Sequence, residues 1–178
     1  TPWWCKGTPD LAQQDCLTFS LQLDTAEYNA RKYPTLADFQ AAGAVNITSD
    51  APVGTGEAYR VPSADTVNFN PNQAQALLYD GTTPDARLVG VLWTILGAQP
   101  SGFPGDRDVW INTGASKWAL PAWIIRGYQN HPDVFAASHP CLAPGVTLGS
   151  TTDTCYTDSH TEPLEILVAN DDGVQAPG

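Results

Sequence analysis

The residues with the clearest chemical potential lie at the end of the chain. A short apolar run, Leu164 to Ala169, empties into Asn170-Asp171-Asp172-Gly173. The run has the length and β-branched content of a buried strand. In open α/β folds, ligands sit just past the carboxyl ends of strands. Asp171 and Asp172 therefore offer hard oxygen ligands of the kind that Mg²⁺, Mn²⁺ or Ca²⁺ takes, although two adjacent carboxylates alone hold such an ion weakly. A second group is His131, Asp133 and His139, close together on one loop. It could ligate a metal or supply a His–Asp general base. Its spacing matches no ligand motif, and a structural role is the competing reading. Aromatic residues make a third group. Trp118 and Trp123, with Trp93 and Trp110, could form a sugar-binding platform. An odd separation puts Trp118 and Trp123 on opposite faces of a regular strand, unless a bulge at Pro121 realigns them. Core packing is the alternative. Neither Ser138 nor Thr113 sits in a Gly-x-Ser-x-Gly elbow, which argues against a serine hydrolase.

The segment Ile166-Leu167-x-x-Asn170-Asp171-Asp172-Gly173-Val174-x-Ala176-Pro177-Gly178 resembles the opening strand and loop of SurE-type survival proteins. The resemblance implies a metal-dependent nucleotidase or phosphatase with a Rossmann-like fold, its divalent metal bound by the two aspartates. It covers only about the last fifteen residues. A weaker likeness joins residues 24–142 to a group of uncharacterised secreted bacterial proteins. It rests on Leu77–Tyr79, Leu88–Val91, Trp118, Trp123, Asn130, Pro132, Phe135 and Pro140. That likeness implies no activity, and a histidine often stands in that group where this chain has Pro121.

Composition bounds what these residues can serve. A chain of 178 residues suits one domain, or one domain and a tail. Its 42% hydrophobic content, with six Trp, is enough for a real core. A net charge of −11, with only eight Lys and Arg, argues against nucleic acid and anionic membranes. No run approaches the ~18 apolar residues of a spanning helix. The chain has no methionine and opens Thr-Pro-Trp-Trp, which suggests a mature, secreted or extracytoplasmic protein. An even number of cysteines fits an oxidising compartment. The simplest of the three possible pairings joins Cys5 with Cys16 and Cys141 with Cys155, each closing a loop of about a dozen residues for about 3 kcal/mol. Zinc is the competing reading, but the chain has no Cys-x-x-Cys pair.

The elements that must position these groups follow in order. Leu17 to Tyr33 has helical texture, with Leu17, Leu21 and Tyr28 on one face and Pro34 as the stop. Thr35 and Asp38 suggest a capping box for a second helix through about Ala42, with Gly43 beyond it. From Asn46 to Asn72 the chain reads as loop with one or two short strands, Val67 and Phe69 marking one of them. Ala76–Tyr79 and Arg87–Leu96 are expected to pair as a hairpin with Thr82 to Ala86 in its loop, the latter as central strand. Val109–Ile111 is a short strand, and Asn112–Gly114 a turn. Lys117–Arg126 is a last strand, put at an edge or given a bulge by Pro121. The expected class is α+β: two short N-terminal helices, an antiparallel sheet, disulfide-stapled loops and a C-terminal strand-like tail.

Residues 1–160 thus read as a secreted α+β domain, and residues 161–178 as a hinge followed by the SurE-like strand and metal loop. The expected function is an accessory or binding domain, not catalytic by itself, within a SurE-like nucleotidase or phosphatase polypeptide. Its partner would be a downstream catalytic domain. A structural or assembly protein, forming a homo-oligomer through its C-terminal strand, is the alternative.

Overall fold

The computed structural model describes residues 13–105, 107–128, 133–139 and 142 of the 178. Helix α1, Gln13–Ala30, has Asp15 in its first turn, where a carboxylate favours the positive end of the helix dipole. Three hydroxyls inside it donate to carbonyls one turn back, Thr18 to Gln14, Ser20 to Cys16 and Thr25 to Leu21. The buried stripe is Cys16, Phe19, Ser20, Leu23, Ala26 and Ala30, spaced by threes and fours. Leu17, Leu21 and Tyr28 do share a face, but that face is exposed. The helix also ends earlier than the expected Tyr33. A residue before proline is driven out of the helical region, so the chain unwinds ahead of Pro34.

Helix α2, Leu36–Ala41, follows with the expected cap: Thr35 Oγ1 accepts from the Asp38 amide and donates to its carboxylate at 2.6 Å. Gly43 takes a positive φ of 95° just beyond it. Of the two helices expected to be short, only α2 is. α1 runs for 18 residues, about five turns.

Six strands follow: β1 Val45–Asn46, β2 Glu57–Arg60, β3 Ala76–Tyr79, β4 Leu88–Leu96, β5 Ile111–Gly114 and β6 Lys117–Ala122. They form one antiparallel sheet in the order β1-β2-β3-β4-β6-β5. The β3–β4 hairpin closes with Tyr79 opposite Leu88, and Asp80 accepts from the Arg87 amide at 2.7 Å. Burial pushes the Asp80 carboxyl up, against the opposing pull of Arg87. β4 is central and buried from Leu88 through Trp93, as its apolar run requires when both faces are covered.

Several strand expectations change: Val109 and Trp110 lie before β5, and β6 stops at Ala122, short of Arg126. β6 is not an edge, since it lies between β4 and β5. Pro121 is tolerated because pairing with β5 stops at Ala119, so its missing amide breaks no bond on that side. The turn expected at Asn112–Gly114 falls later, with Ser116 at φ 53°, and Asn112–Gly114 belongs to β5. Val67 and Phe69 form no strand. Asp65 Oδ1 captures the amides of Val67 and Asn68 and folds that stretch into a side-chain-capped turn.

The disulfide-stapled loops of the expected class also need correction. No disulfide joins two cysteines among the described residues; what holds the described fold together is the hydrophobic core. Cys16 is the one described cysteine, and it is not a free thiol. Cys5, Cys141 and Cys155 lie outside the described residues, as do the C-terminal strand-like tail and the boundary placed at residue 160.

Aromatic rings fill the core. Phe103, carried in by the Pro/Gly loop between β4 and β5, meets Phe19, Phe69, Trp93 and Phe135 at centroid distances of 5.0 to 5.6 Å. Asp108 Oδ2 accepts from the Phe103 amide at 2.8 Å and pins the loop that delivers the ring.

Candidate functional site

Several of the groups singled out for chemistry have structural partners. His139 is buried, with its ring edge-on to Trp123 at 5.0 Å. Its Nε2 lies 3.0 Å from the Tyr128 carbonyl, which can only accept, so Nε2 carries the proton and donates. Asp133 Oδ1 accepts from the Phe135 amide at 3.0 Å, closing a local turn. His131 lies outside the described residues, as do Asp171 and Asp172. Among the described residues no group of three or more His, Cys, Asp or Glu is placed to hold a metal ion.

The two tryptophans are not placed together. β4 and β6 pair in regular register through Pro121, so Trp118 and the residue after Ala122 fall on opposite sides. Trp123 is fully buried against Gly90 and gives its Nε1 hydrogen to Ala136. Trp118 is half-buried and donates to Gly97 at 3.2 Å.

Concave surface lies elsewhere, along the irregular strap of residues 61–75 between β2 and β3. The strap is fastened at many points. The Val61 amide donates to Gln75, Trp93 Nε1 to Asn70 at 2.8 Å, and the Leu96 amide to Thr66 at 2.7 Å. Gln75 bridges the Asp65 carbonyl and the Thr94 amide. Asn68 donates to Asp65 through side chain and backbone, and together with the Val67 amide holds that carboxyl below its ordinary 3.8.

Two grooves of about 310 and 370 Å³ flank this strap and share Gln73 and Ala74. The first has an apolar floor of Ala26, Ala30 and Leu77 and a polar rim of Asn29, Lys32, Tyr33 and Gln73. Asn29 is set in place by donating to the Asn72 carbonyl while accepting from Lys32 Nζ at 3.0 Å. The second is walled by Asp65, Asn68, Phe69, Asn70 and Gln75. Each groove carries one charged side chain, with two amide side chains in the first groove and four in the second, and each amide offers both a donor and an acceptor. A rigid loop with such groups suits a neutral ligand rich in hydrogen-bonding groups. No motif marks these residues in the sequence. Their signal was the amide density of Asn68-Phe-Asn70-Pro-Asn72-Gln73, which also reads as ordinary loop.

These features define an α+β domain with a six-stranded antiparallel sheet and a polar groove beside its central hairpin. Comparison with protein-family models, with curated proteins and with solved structures yields no significant match. No helix among the described residues is long and apolar enough to cross a membrane.

Proposed function

We propose that this chain is a secreted or extracytoplasmic binding domain, accessory to a SurE-like phosphatase module that follows it in a longer polypeptide. The observation that carries the binding role is the pair of fastened, amide-lined grooves along residues 61–75. Their volumes reach the range of about 300–1,000 Å³ usual for small-molecule sites. Their balance of charge favours a neutral polyhydroxylated ligand, such as a saccharide segment. The link to a phosphatase rests on the Asn170–Gly173 loop and its neighbours. A divalent cation would belong to that loop, through Asp171 and Asp172, and would supply Lewis-acid chemistry to the downstream module.

On this reading the 178-residue chain binds without turnover. With p-nitrophenyl phosphate and Mn²⁺, release of nitrophenol should not exceed the rate in buffer with Mn²⁺. Turnover that disappears in Asp171→Asn would overturn the accessory role and make the chain an enzyme in its own right.

A further inference from the structure

We propose that Arg60, Thr94 and Lys117 form a binding site for a small oxyanion, best suited to a carboxylate group, on the sheet face beneath Asp50. Sheet register brings these residues together. Arg60 is opposite Ala76, and Ala76 is opposite Leu92; Thr94 is opposite Ala119, and Lys117 is opposite Leu96. Since directly opposed residues share a face and every second residue returns to it, Arg60, Thr94 and Lys117 all project from one side. Asp50, from the 3-10 turn Thr48–Asp50, sits beside them.

The hydrogen bonding here is incomplete. Lys117 Nζ donates to Asp50 Oδ1 at 2.8 Å, whereas Arg60 Nη2 stands 3.9 Å from Oδ2. Arg60 Nε is buried with no hydrogen-bond partner among the described residues, and so is Thr94 Oγ1. An arginine has five donors in a planar fork that matches a carboxylate, and a buried donor left unmade is expensive. Both orphaned residues border a cavity of about 20 Å³, together with Asp50, Thr66, Thr113 and Lys117. That is space for roughly one oxygen atom. One oxygen of a carboxylate would fill it, accepting from Arg60 Nε and the Thr94 hydroxyl, while the second faces the outer guanidinium and Lys117.

Charge agrees with this occupant. Among the described residues, Arg60 and Lys117 meet here against the single carboxylate of Asp50, which leaves a local excess of one positive charge. The protein's overall −11 opposes anions at long range, but salt screens that field beyond about 8–10 Å. This site, with its paired cations, is chemically unlike the two strap grooves and does not depend on a ligand there.

The test is a titration of the intact, ¹⁵N-labelled chain with sodium acetate and, separately, inorganic phosphate, each at constant ionic strength set with sodium chloride. The Arg60 Nε–H resonance should shift saturably with acetate. Thr94→Val, which keeps the shape but removes the hydroxyl, should weaken the effect roughly tenfold. Saturation with phosphate alone would show that the site prefers a free phosphate, overturning the carboxylate assignment. No saturable shift with either anion would mean that water fills the cavity and would overturn the site altogether, as would a Thr94→Val titration identical to the parent.

Discussion

Phe103→Ala should lower the stability of this protein by about 3–5 kcal/mol, the usual penalty for emptying a buried phenylalanine site. The reason is its place in the core. Phe103 is 4% exposed and touches rings from α1, the strap, β4 and the segment after β6: Phe19, Phe69, Trp93 and Phe135. Such ring pairs add about 0.5–1.5 kcal/mol each beyond the area they bury. A loop residue thus joins four parts of the chain. Urea denaturation followed by tryptophan fluorescence measures the loss. A decrease below about 1 kcal/mol would show that the loop of residues 97–108 does not deliver a core residue.

Trp123→Ala should be comparably severe, at about 3–5 kcal/mol. The ring packs on Gly90, where an added Cβ would stand only 2.9 Å from it. Its Nε1 donates to Ala136, its backbone amide to Val134, and its ring makes a T-shaped contact with His139. Truncation therefore opens a cavity and also leaves the Ala136 carbonyl without its donor. The loss should be regional as well as global. Hydrogen exchange at the Trp123 and His139 amides, which bond to Val134 and Gly54, should accelerate more than at β3. Uniform acceleration would contradict a docking role for Trp123.

How much of this was legible in the sequence differs from element to element. β3 and β4 were readable because their apolar runs are bounded by Asp80-Gly81 and Gly97, and the Thr35–Asp38 cap because its spacing is local. Helix α1 was readable as a helix but not in its orientation. Leu17, Leu21 and Tyr28 compete as a stripe with Phe19, Leu23, Ala26 and Ala30, and only tertiary packing selects the second. Phe103 was hidden by its company of glycines and prolines, since a loop signal says nothing about where one ring goes. Val67 and Phe69 alternated like a strand, yet Asp65 took the amides a strand needs. The candidate site was least visible of all. Asn29, Lys32, Tyr33 and Gln73 are brought together from two separate segments, and no spacing within one window encodes that meeting.

The most direct test of the binding role is a titration of the intact chain with neutral oligosaccharides (maltohexaose, cellohexaose and chitohexaose), followed by backbone amide shifts. At least one should give saturable shifts at Asn29, Lys32, Tyr33 and Gln73, and Gln73→Ala should weaken that binding roughly two- to tenfold, the value of one neutral hydrogen bond. Saturable shifts that avoid these four residues, or none with any of the three sugars, would contradict the assignment of the groove lined by Asn29 and Gln73 as the binding site.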